Sequence, residues 1–254
     1  MVRILGLLIS MTAMVLATSA GAADLKVISA GAVRALVTGM IADYSKQTGH
    51  KFDFTVGTTG QLREIIASGQ HADLIITSAP LMGEIEKTGK LTAGSRTDLG
   101  RVGLGVVVRE GAPVPDVSTP EALKQVLINA KSIAYTDPKL GGTSVIHLMK
   151  LAERFGITDI VVKKGVTATG GDDASEKVAH GTAEIGVTLI SEIVPIKGAK
   201  LAAPLPGDTQ LWTVYASAIP ASSKEPAHAR AFIDALTSSA LAPRWTAGGF
   251  EPPK

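Results

Sequence analysis

The sequence predicts an α/β protein with two lobes, each a mainly parallel sheet flanked by helices, and a ligand cleft between the lobes. Two observations support this class. Short apolar runs alternate with segments whose apolar residues recur at helical spacing, which is the pattern of strand–helix units. The chain has 254 residues and no cysteine, so it is long enough for two lobes whose cores need no disulfide bonds.

The first residues have the features of an export signal. Arg3 supplies a positive charge, residues 4–16 form an apolar run, and residues 20–22 fit the small-x-small cleavage pattern. The apolar run is shorter than the ~20 residues that a membrane-spanning helix needs. We therefore predict a signal peptide at residues 1–22 and a mature chain from residue 23. Export without cysteine indicates a bacterial periplasmic protein.

The charge balance disfavours a nucleic-acid partner. The formal net charge is +2, and aromatic residues make up 4% of the chain. No block of basic residues occurs in the sequence. Nucleic-acid-binding surfaces combine basic patches with aromatic side chains on which bases stack. We therefore expect no nucleic-acid partner, and any bound anion must be held by local groups.

The first strand–helix unit, residues 25–46, sets the pattern for the chain. The strand is predicted to end at Ala30, and Val33, Val37 and Met40 follow at helical spacing. Because only small side chains stand at the turn, the free N–H groups and the positive dipole end of the helix are open to an anion. Two similar units follow, with predicted strands at 51–56 and 73–77 and predicted helices at 61–68 and 81–88.

The lobe boundaries are predicted from one proline-rich segment, residues 111–115, and from the order of the elements. We predict a first part of lobe I at 23–108, lobe II at 109–210 and a return to lobe I at 211–254. Two crossings between lobes permit hinge closure about a cleft. In lobe II we predict strands at 132–136, 166–169 and 184–189, and helices that start near 120, 143 and 174.

Four turns at the carboxyl ends of predicted parallel strands are candidate anion-binding turns. Ligands of parallel α/β sheets bind beyond the carboxyl ends of the strands. Each turn alone is equally typical of an ordinary helix cap, because Gly, Ser and Thr are common at helix starts. The four turns occur at residues 30–32, 58–60, 142–144 and 170–172.

Charged residues accompany some of these turns. Arg34 and Arg63, early in two helices, are suited to a carboxylate or an oxyanion, and equally to solvent. Asp172 and Asp173 are candidates for a general base, and the alternative is that they cap a helix. The five histidines show no metal-ligand spacing, so we expect no metal and no other cofactor.

Five segments of the chain resemble one known family. They are KVISAGAV at 26–33, GTTGQLREIIASGQHADLIIT at 57–77, AYTDP at 134–138, AEIGVT at 183–188 and GGF at 248–250. With these segments the chain resembles the periplasmic molybdate-binding protein family of ABC importers, as a divergent member. The resemblance implies the type II periplasmic-binding fold, a small anionic ligand, a permease in the inner membrane as partner, and a monomer.

The resemblance also implies which residues hold the ligand. In the family, hydroxyls and backbone N–H groups at helix starts bind an oxyanion. One family serine falls at Ala32, which keeps only its amide, and a second falls at Thr59. The tyrosine that the family often uses falls at Leu189. The backbone contacts of the second lobe fall near Thr143 and Gly171.

These departures bear on the ligand. Two missing hydroxyl donors leave a tetrahedral oxyanion short of hydrogen bonds, at a cost of ~1–3 kcal/mol each. Thr58, Arg34 and Asp172 suit a larger ligand, such as an organic carboxylate. A molybdate-like oxyanion and an organic carboxylate are therefore both candidates. The predicted ligand-binding residues are Gly31, Ala32, Arg34, Thr58, Thr59, Thr143, Ser144, Gly171 and Leu189.

An enzyme is the alternative function. The chain also resembles the aconitate isomerase branch of the same fold, which shifts a proton within a bound tricarboxylate. Such chemistry needs a base whose pKa lies near neutrality and fixed dipoles that stabilise an anionic intermediate. The helix starts could supply the dipoles, and Asp172, Asp173 and His71 are the candidates for the base.

Overall fold

The alternation of strands and helices runs through the whole described chain. The structure is a computed structural model that describes residues 21–252, so the predicted signal peptide lies outside these residues except for its last two. The β-strands are β1 Asp24–Ala30, β2 Lys51–Gly57, β3 Leu74–Ser78, β4 Thr97–Val102, β5 Leu104–Arg109, β6 Ile133–Thr136, β7 Gly165–Ala168, β8 Ile185–Leu189, β9 Ala199–Pro204 and β10 Thr213–Ala218. The α-helices are α1 Gly31–Thr48, α2 Thr59–Ala67, α3 Ala79–Glu86, α4 Pro120–Asn129, α5 Thr143–Phe155, α6 Thr158–Lys163, α7 Gly171–Ala179, α8 Pro226–Leu236 and α9 Ala242–Ala247.

Two five-stranded sheets form the centres of the two lobes. The first has the strand order β2-β1-β3-β10-β4, and the second has the order β7-β6-β8-β5-β9. In each sheet the first three strands pair in parallel, whereas β10 or β5 pairs antiparallel with both of its neighbours. Four of the five strands therefore run in one direction in each lobe. The predicted class, two mainly parallel sheets flanked by helices, is confirmed.

Burial of one helix face against a sheet explains why the predicted helical segments form helices. In α1, Val33 and Val37 are fully buried and Met40 is nearly so, whereas Arg34 on the opposite face is exposed. Burial of an aliphatic side chain of this size stabilises the fold by about 1.5–3 kcal/mol. The apolar stripe therefore fixes the helix on its sheet, because helix propensity alone is too weak to do so.

The first crossing between the lobes lies at Gly103, which corrects the predicted boundary at residues 108 and 109. β5 pairs with β8 and β9 and so belongs to the second sheet. The proline-rich segment that suggested the boundary follows β5 as an irregular loop. The chain returns to the first lobe between β9 and β10. At this double crossing the Gln210 side chain accepts from Leu104 N at 2.7 Å and donates to Leu104 O at 2.9 Å, so it ties the two connections together.

Strand β4 has no counterpart among the predicted strands. Its sequence, TDLGRV, places Asp98 and Arg101 in the strand and has no continuous apolar run. It lies at the edge of the first sheet and pairs only with β10 among the described strands. An edge strand needs fewer apolar residues than a central one, so periodicity gives little signal there.

No helix within residues 21–252 has the length and apolar character of a membrane span.

Candidate functional site

A cavity of about 590 Å³ lies between the lobes, at the carboxyl ends of the parallel strands. Four helices begin at its wall: α1 and α2 from the first lobe, and α5 and α7 from the second. The four candidate anion-binding turns therefore share one hollow. The structure brings all nine predicted ligand-binding residues to this wall, namely Gly31, Ala32, Arg34, Thr58, Thr59, Thr143, Ser144, Gly171 and Leu189.

Three of these helix starts offer free backbone donors to the cavity. The residues that precede α1, α5 and α7 are Ala30, Gly142 and Gly170, and within the described chain none of them makes a side-chain cap. α2 differs, because Thr58 and Gln61 form a capping box in which each side chain accepts from the other's backbone N–H. Uncapped N–H groups at three starts favour a bound anion at the site.

The first contact across the cleft is an ion pair. Arg34 Nη2, from α1, donates to Asp172 Oδ2, from α7, at 2.5 Å. The Arg34 side chain is 49% exposed, whereas that of Asp172 is 14% exposed. Burial raises the pKa of Asp172 above its usual range, and Glu176 adds to this, although Arg34 opposes it. Arg34 is therefore the more solvent-exposed partner, and it lies at the cavity wall within reach of a ligand.

The second contact across the cleft is uncharged. The Thr58 hydroxyl donates to Leu140 O, and Gly60 N donates to Gly141 O at 3.1 Å. The hydroxyls of Thr59 and Thr143 lie 3.0 Å apart. These bonds bring the start of α2 against the loop that precedes α5, and they close the cavity on this side.

A buried acid, Glu192, forms part of the cavity wall on the side of the second lobe. It lies in the helical turn that follows β8, and 7% of it is exposed. The Thr188 hydroxyl donates to its Oε2 at 2.6 Å. A Cβ on Gly171 would lie 1.8 Å from the same oxygen, so only glycine leaves room for the carboxyl group.

The surroundings of Glu192 change its acidity. Burial, followed by the nearby Asp172 carboxylate, raises the pKa of Glu192 to about 7. Hydrogen bonds from Thr188 and from the Leu189 backbone, together with the charge of Arg34, oppose the rise. Glu192 can therefore hold or release a proton near neutral pH.

Tyr215, from β10, also lines the cavity and is 2% exposed. Burial raises the pKa of its hydroxyl above its usual range, and Glu192 adds to this. The hydroxyl is therefore neutral at physiological pH and available as a hydrogen-bond donor.

The remaining sequence candidates divide between the cavity and other places. Asp172 and Asp173 both line the cavity. The Asp173 carboxylate accepts from Thr169 N at 2.8 Å and pairs with Lys177 at 3.0 Å. Burial raises the pKa of Asp173, but these partners outweigh burial and hold the pKa below its usual range. Asp173 is therefore held by Thr169 and Lys177 at the start of α7, and it does not cap the free N–H groups of that helix.

His71 and Arg63 lie away from the cavity. His71 precedes β3, at the opposite end of that strand from the cavity, and its Nε2 is 3.6 Å from Asp73 Oδ1. The structure thus separates His71 from the site and removes it as a candidate base. Arg63 pairs with Glu84 at 3.0 Å, and both side chains are largely exposed.

Glu192 and Tyr215 are absent from the sequence-based candidates. A signal for Glu192 exists, because it is the single charged residue in residues 185–196 and lies three residues beyond the predicted strand at 184–189. An acid in such a stretch needs a special reason to be buried. Tyr215 gives no comparable signal, since aromatic residues are common in strands.

Within residues 21–252, no three His, Cys, Asp or Glu residues are grouped so that they could hold a metal ion.

Comparisons with known proteins agree with this architecture. Over 234 residues the chain is 29% identical to an aconitate isomerase of a Pseudomonas species, covering 90% of this chain and 87% of that protein. It is 30% identical over 196 residues to the molybdate-binding protein ModA of Azotobacter vinelandii, covering 74% of this chain and 73% of that protein. The solved periplasmic molybdate-binding protein of Azotobacter vinelandii superposes with a TM-score of 0.73 at 20% identity, covering 91% of this chain and 100% of that chain.

The family model described as "Bacterial extracellular solute-binding protein" matches residues 25–251, which include every element of both lobes except the first residue of β1. The chain therefore belongs to the family of bacterial extracellular solute-binding proteins.

Proposed function

We propose that the protein is the periplasmic solute-binding component of an ABC-type importer and that its two lobes close on a small organic anion with more than one carboxylate. One observation carries the proposal: four helix starts and Arg34 converge on a single cavity between the lobes. Backbone N–H groups and a guanidinium are the donors that bind carboxylates in proteins.

The dimensions and donors of the cavity favour an organic anion over a tetrahedral oxyanion. Its volume of about 590 Å³ lies within the range of pockets that hold small organic molecules. Ala32 and Leu189 line the cavity but supply no hydroxyl. A five-atom oxyanion would need water to occupy much of the space. The relative named as a molybdate-binding protein supports the oxyanion as the competing ligand.

A thermal-shift panel on the mature chain tests the ligand class. The probes are molybdate, tungstate, sulfate, citrate, cis-aconitate and trans-aconitate, each at the same concentration. A ligand present at 100 times its Kd stabilises the folded state by about 2.7 kcal/mol, which raises Tm measurably. We expect a tricarboxylate to give the largest rise. A larger rise with molybdate would contradict the organic ligand, and no rise with any probe would contradict anion binding.

Export and delivery to a permease complete this proposal. The sequence features of residues 1–22 and the relatives named as periplasmic support export. We infer that the mature chain acts as a monomer and carries its ligand to an inner-membrane permease. N-terminal sequencing of protein from the periplasmic fraction of an expressing bacterium should give a start at or near residue 23.

A second candidate function is an isomerase that moves a proton within a bound tricarboxylate. The observation that favours it is Glu192, a buried acid at the cavity wall whose pKa is raised to about 7. Such a group can take a proton from the methylene carbon of aconitate and return it at the vinyl carbon, which moves the double bond without any net change in atoms. The relative named as an aconitate isomerase supports this candidate.

Turnover distinguishes the two functions. The mature protein is incubated at catalytic amounts with cis-aconitate, and the vinyl proton signals are followed by NMR. Conversion to trans-aconitate that is lost in Glu192→Gln, with binding retained, supports the isomerase. Binding of aconitate without any conversion over many hours supports a transport protein and rules out the isomerase.

A further inference from the structure

The cavity contains an acid where an anion is expected to bind. Glu192 is 7% exposed, and its Oε2 is occupied by the Thr188 hydroxyl at 2.6 Å. Its Oε1 points towards the start of α1, since a Cβ on Gly31 would lie 3.6 Å from it. The oxygen that faces the shared wall of the two lobes is therefore the one left for a ligand.

The charges around Glu192 do not neutralise it. α1 contributes one cation, Arg34, and this residue already pairs with Asp172 at 2.5 Å. The other titratable groups that line the same cavity are acids or a neutral phenol: Asp172, Asp173 and Glu176 from α7, and Tyr215 from β10. Of these acids, Asp173 pairs with Lys177 at 3.0 Å. An incoming carboxylate would therefore meet an excess of negative charge if Glu192 were ionised, and in a poorly solvated cavity such repulsion is strong.

We propose that Glu192 is the specificity-determining residue of the site, and that in its neutral form it donates a hydrogen bond from Oε1 to one carboxylate of the ligand. The proposal rests on the proposed anion-binding function. Binding of each anion is then coupled to the uptake of one proton by the protein. This hydrogen bond favours anions whose oxygens are basic enough to share a proton. Carboxylate oxygens are basic enough, whereas sulfate oxygens are not.

The site geometry explains how the proton is placed. Because Thr188 donates to Oε2, that oxygen acts as an acceptor and leaves Oε1 to carry the proton. Gly171 allows the carboxyl group to lie against the start of α7, where no side chain intervenes. The same geometry favours the neutral acid, because burial and Asp172 together raise the pKa of Glu192 to about 7. Near neutral pH the free protein thus holds both forms.

Calorimetry measures the coupling directly. Titrations of the mature protein with citrate and with trans-aconitate are run in pairs of buffers that differ in ionisation enthalpy. Above pH 7 the ligand carboxylates are ionised, so any proton taken up belongs to the protein. We expect uptake near one proton per ligand at about pH 8.5 for both ligands, and near zero at about pH 5.5 for trans-aconitate. The affinity should change little up to about pH 7 and fall about tenfold per pH unit above it, as Glu192 loses its proton.

Variants assign the proton to Glu192. Glu192→Gln supplies an amide donor that cannot titrate, so it should bind with no proton uptake and with an affinity independent of pH. Glu153→Gln, a change of the same kind on the exposed face of α5 outside the cavity, should behave as the unmodified protein does. Proton uptake that persists in Glu192→Gln would overturn the assignment, as would its absence in the unmodified protein at about pH 8.5.

Thermal unfolding without ligand shows whether Glu192→Gln is folded and tests the titration of Glu192 independently of binding. The pKa of Glu192 is raised from 4.5 to about 7 in the folded state, so its protonated form is the one that folding favours. Its contribution to stability is complete below about pH 4.5 and is lost as the pH rises through about 7. The fall of Tm across this window should be smaller in Glu192→Gln than in the unmodified protein.

Separate outcomes contradict anion binding and the role of Glu192. If neither tricarboxylate produces heat at any pH, the proposed anion-binding function fails, and the role of Glu192 fails with it. If a tricarboxylate binds with no proton uptake and no change of affinity between about pH 5.5 and about pH 8.5, anion binding stands and the role of Glu192 is overturned.

Discussion

Two of the contacts between the lobes across the cleft differ in kind. On one side, Arg34 and Asp172 form an ion pair in which the arginine is 49% exposed. On the other side, the start of α2 meets residues 140 and 141 through backbone groups, and Gly60 N donates to Gly141 O at 3.1 Å. The first contact depends on charge, whereas the second depends on how closely two stretches of backbone can approach.

This difference assigns separate tasks to the two sides. Because the arginine of this ion pair is half exposed, the pair is sensitive to salt, and Arg34 can reach a ligand carboxylate in the cavity. Backbone contacts respond neither to salt nor to ligand charge. These contacts form only when the lobes are closed. The charged side should therefore govern which anions bind, and the uncharged side should govern whether closure is possible at all.

The largest effect is expected from Gly60→Ala, which tests the uncharged side. A Cβ at this position would lie 2.6 Å from Leu140 O and 3.0 Å from Gly141 Cα, so the lobes could not reach their present separation. Overpacking of this kind costs about 1–3 kcal/mol, which corresponds to a loss of ligand affinity of about fivefold to 150-fold. Calorimetry measures the affinity, and small-angle scattering of the ligand-bound protein should show a larger radius of gyration.

A matched variant separates closure from a general effect of alanine in a helix. Gly83 lies inside α3, and a Cβ there would meet nothing within 4 Å. Gly83→Ala should raise stability by up to about 1 kcal/mol, because alanine favours helix, and leave affinity unchanged. If Gly60→Ala bound its ligand as tightly as Gly83→Ala does, the contact at Gly60 would play no part in closure.

An effect of comparable size is expected on the charged side, and Arg34→Ala tests it. Hydrogen bonds to charged groups contribute about 1.5–3 kcal/mol, so affinity for a carboxylate should fall by about tenfold to a hundredfold. In the unmodified protein the affinity should decrease with salt, and this dependence should be weaker in the variant. Arg63→Ala is the control, because Arg63 also lies early in a helix but pairs with Glu84 away from the cavity. Equal losses in both variants would contradict a role for Arg34 in binding.

The fold was predictable because it depends on patterns that repeat. Alternating apolar runs and helical stripes, together with small residues at the turns, predicted the parallel strands and the helix starts that meet at the cavity. The first lobe boundary was not predictable in the same way. β4 and β5 are separated by Gly103 alone, and β4 is too polar to give a periodic signal. The proline-rich segment at residues 111–115, which suggested the boundary, comes after β5 and forms a loop.

The candidate site was predictable only in part, for a physical reason. Residues at helix starts are recognised because their local geometry requires small or hydroxyl-bearing side chains, and Thr143 and Gly171 fit that requirement. Glu192 and Tyr215 reach the cavity through the arrangement of whole elements. The first does so from the turn after β8, and the second from a strand that the chain adds to the first sheet after the double crossing. Such placements depend on topology, which local pattern does not encode.

The smallest effect is expected from Thr59→Ala, at the point where the uncharged side reaches the cavity. The Thr59 hydroxyl lies 3.0 Å from that of Thr143 and also lines the cavity, so it can donate either across the cleft or to a ligand. A single uncharged hydrogen bond contributes about 0.5–1.5 kcal/mol, so affinity should fall by about twofold to tenfold without any loss of folding. Thr59→Ser keeps the hydroxyl and should retain most of the affinity. Calorimetry that finds the alanine variant unchanged would show that Thr59 serves neither closure nor binding, and the uncharged side would then depend on the Thr58 hydroxyl and on backbone groups.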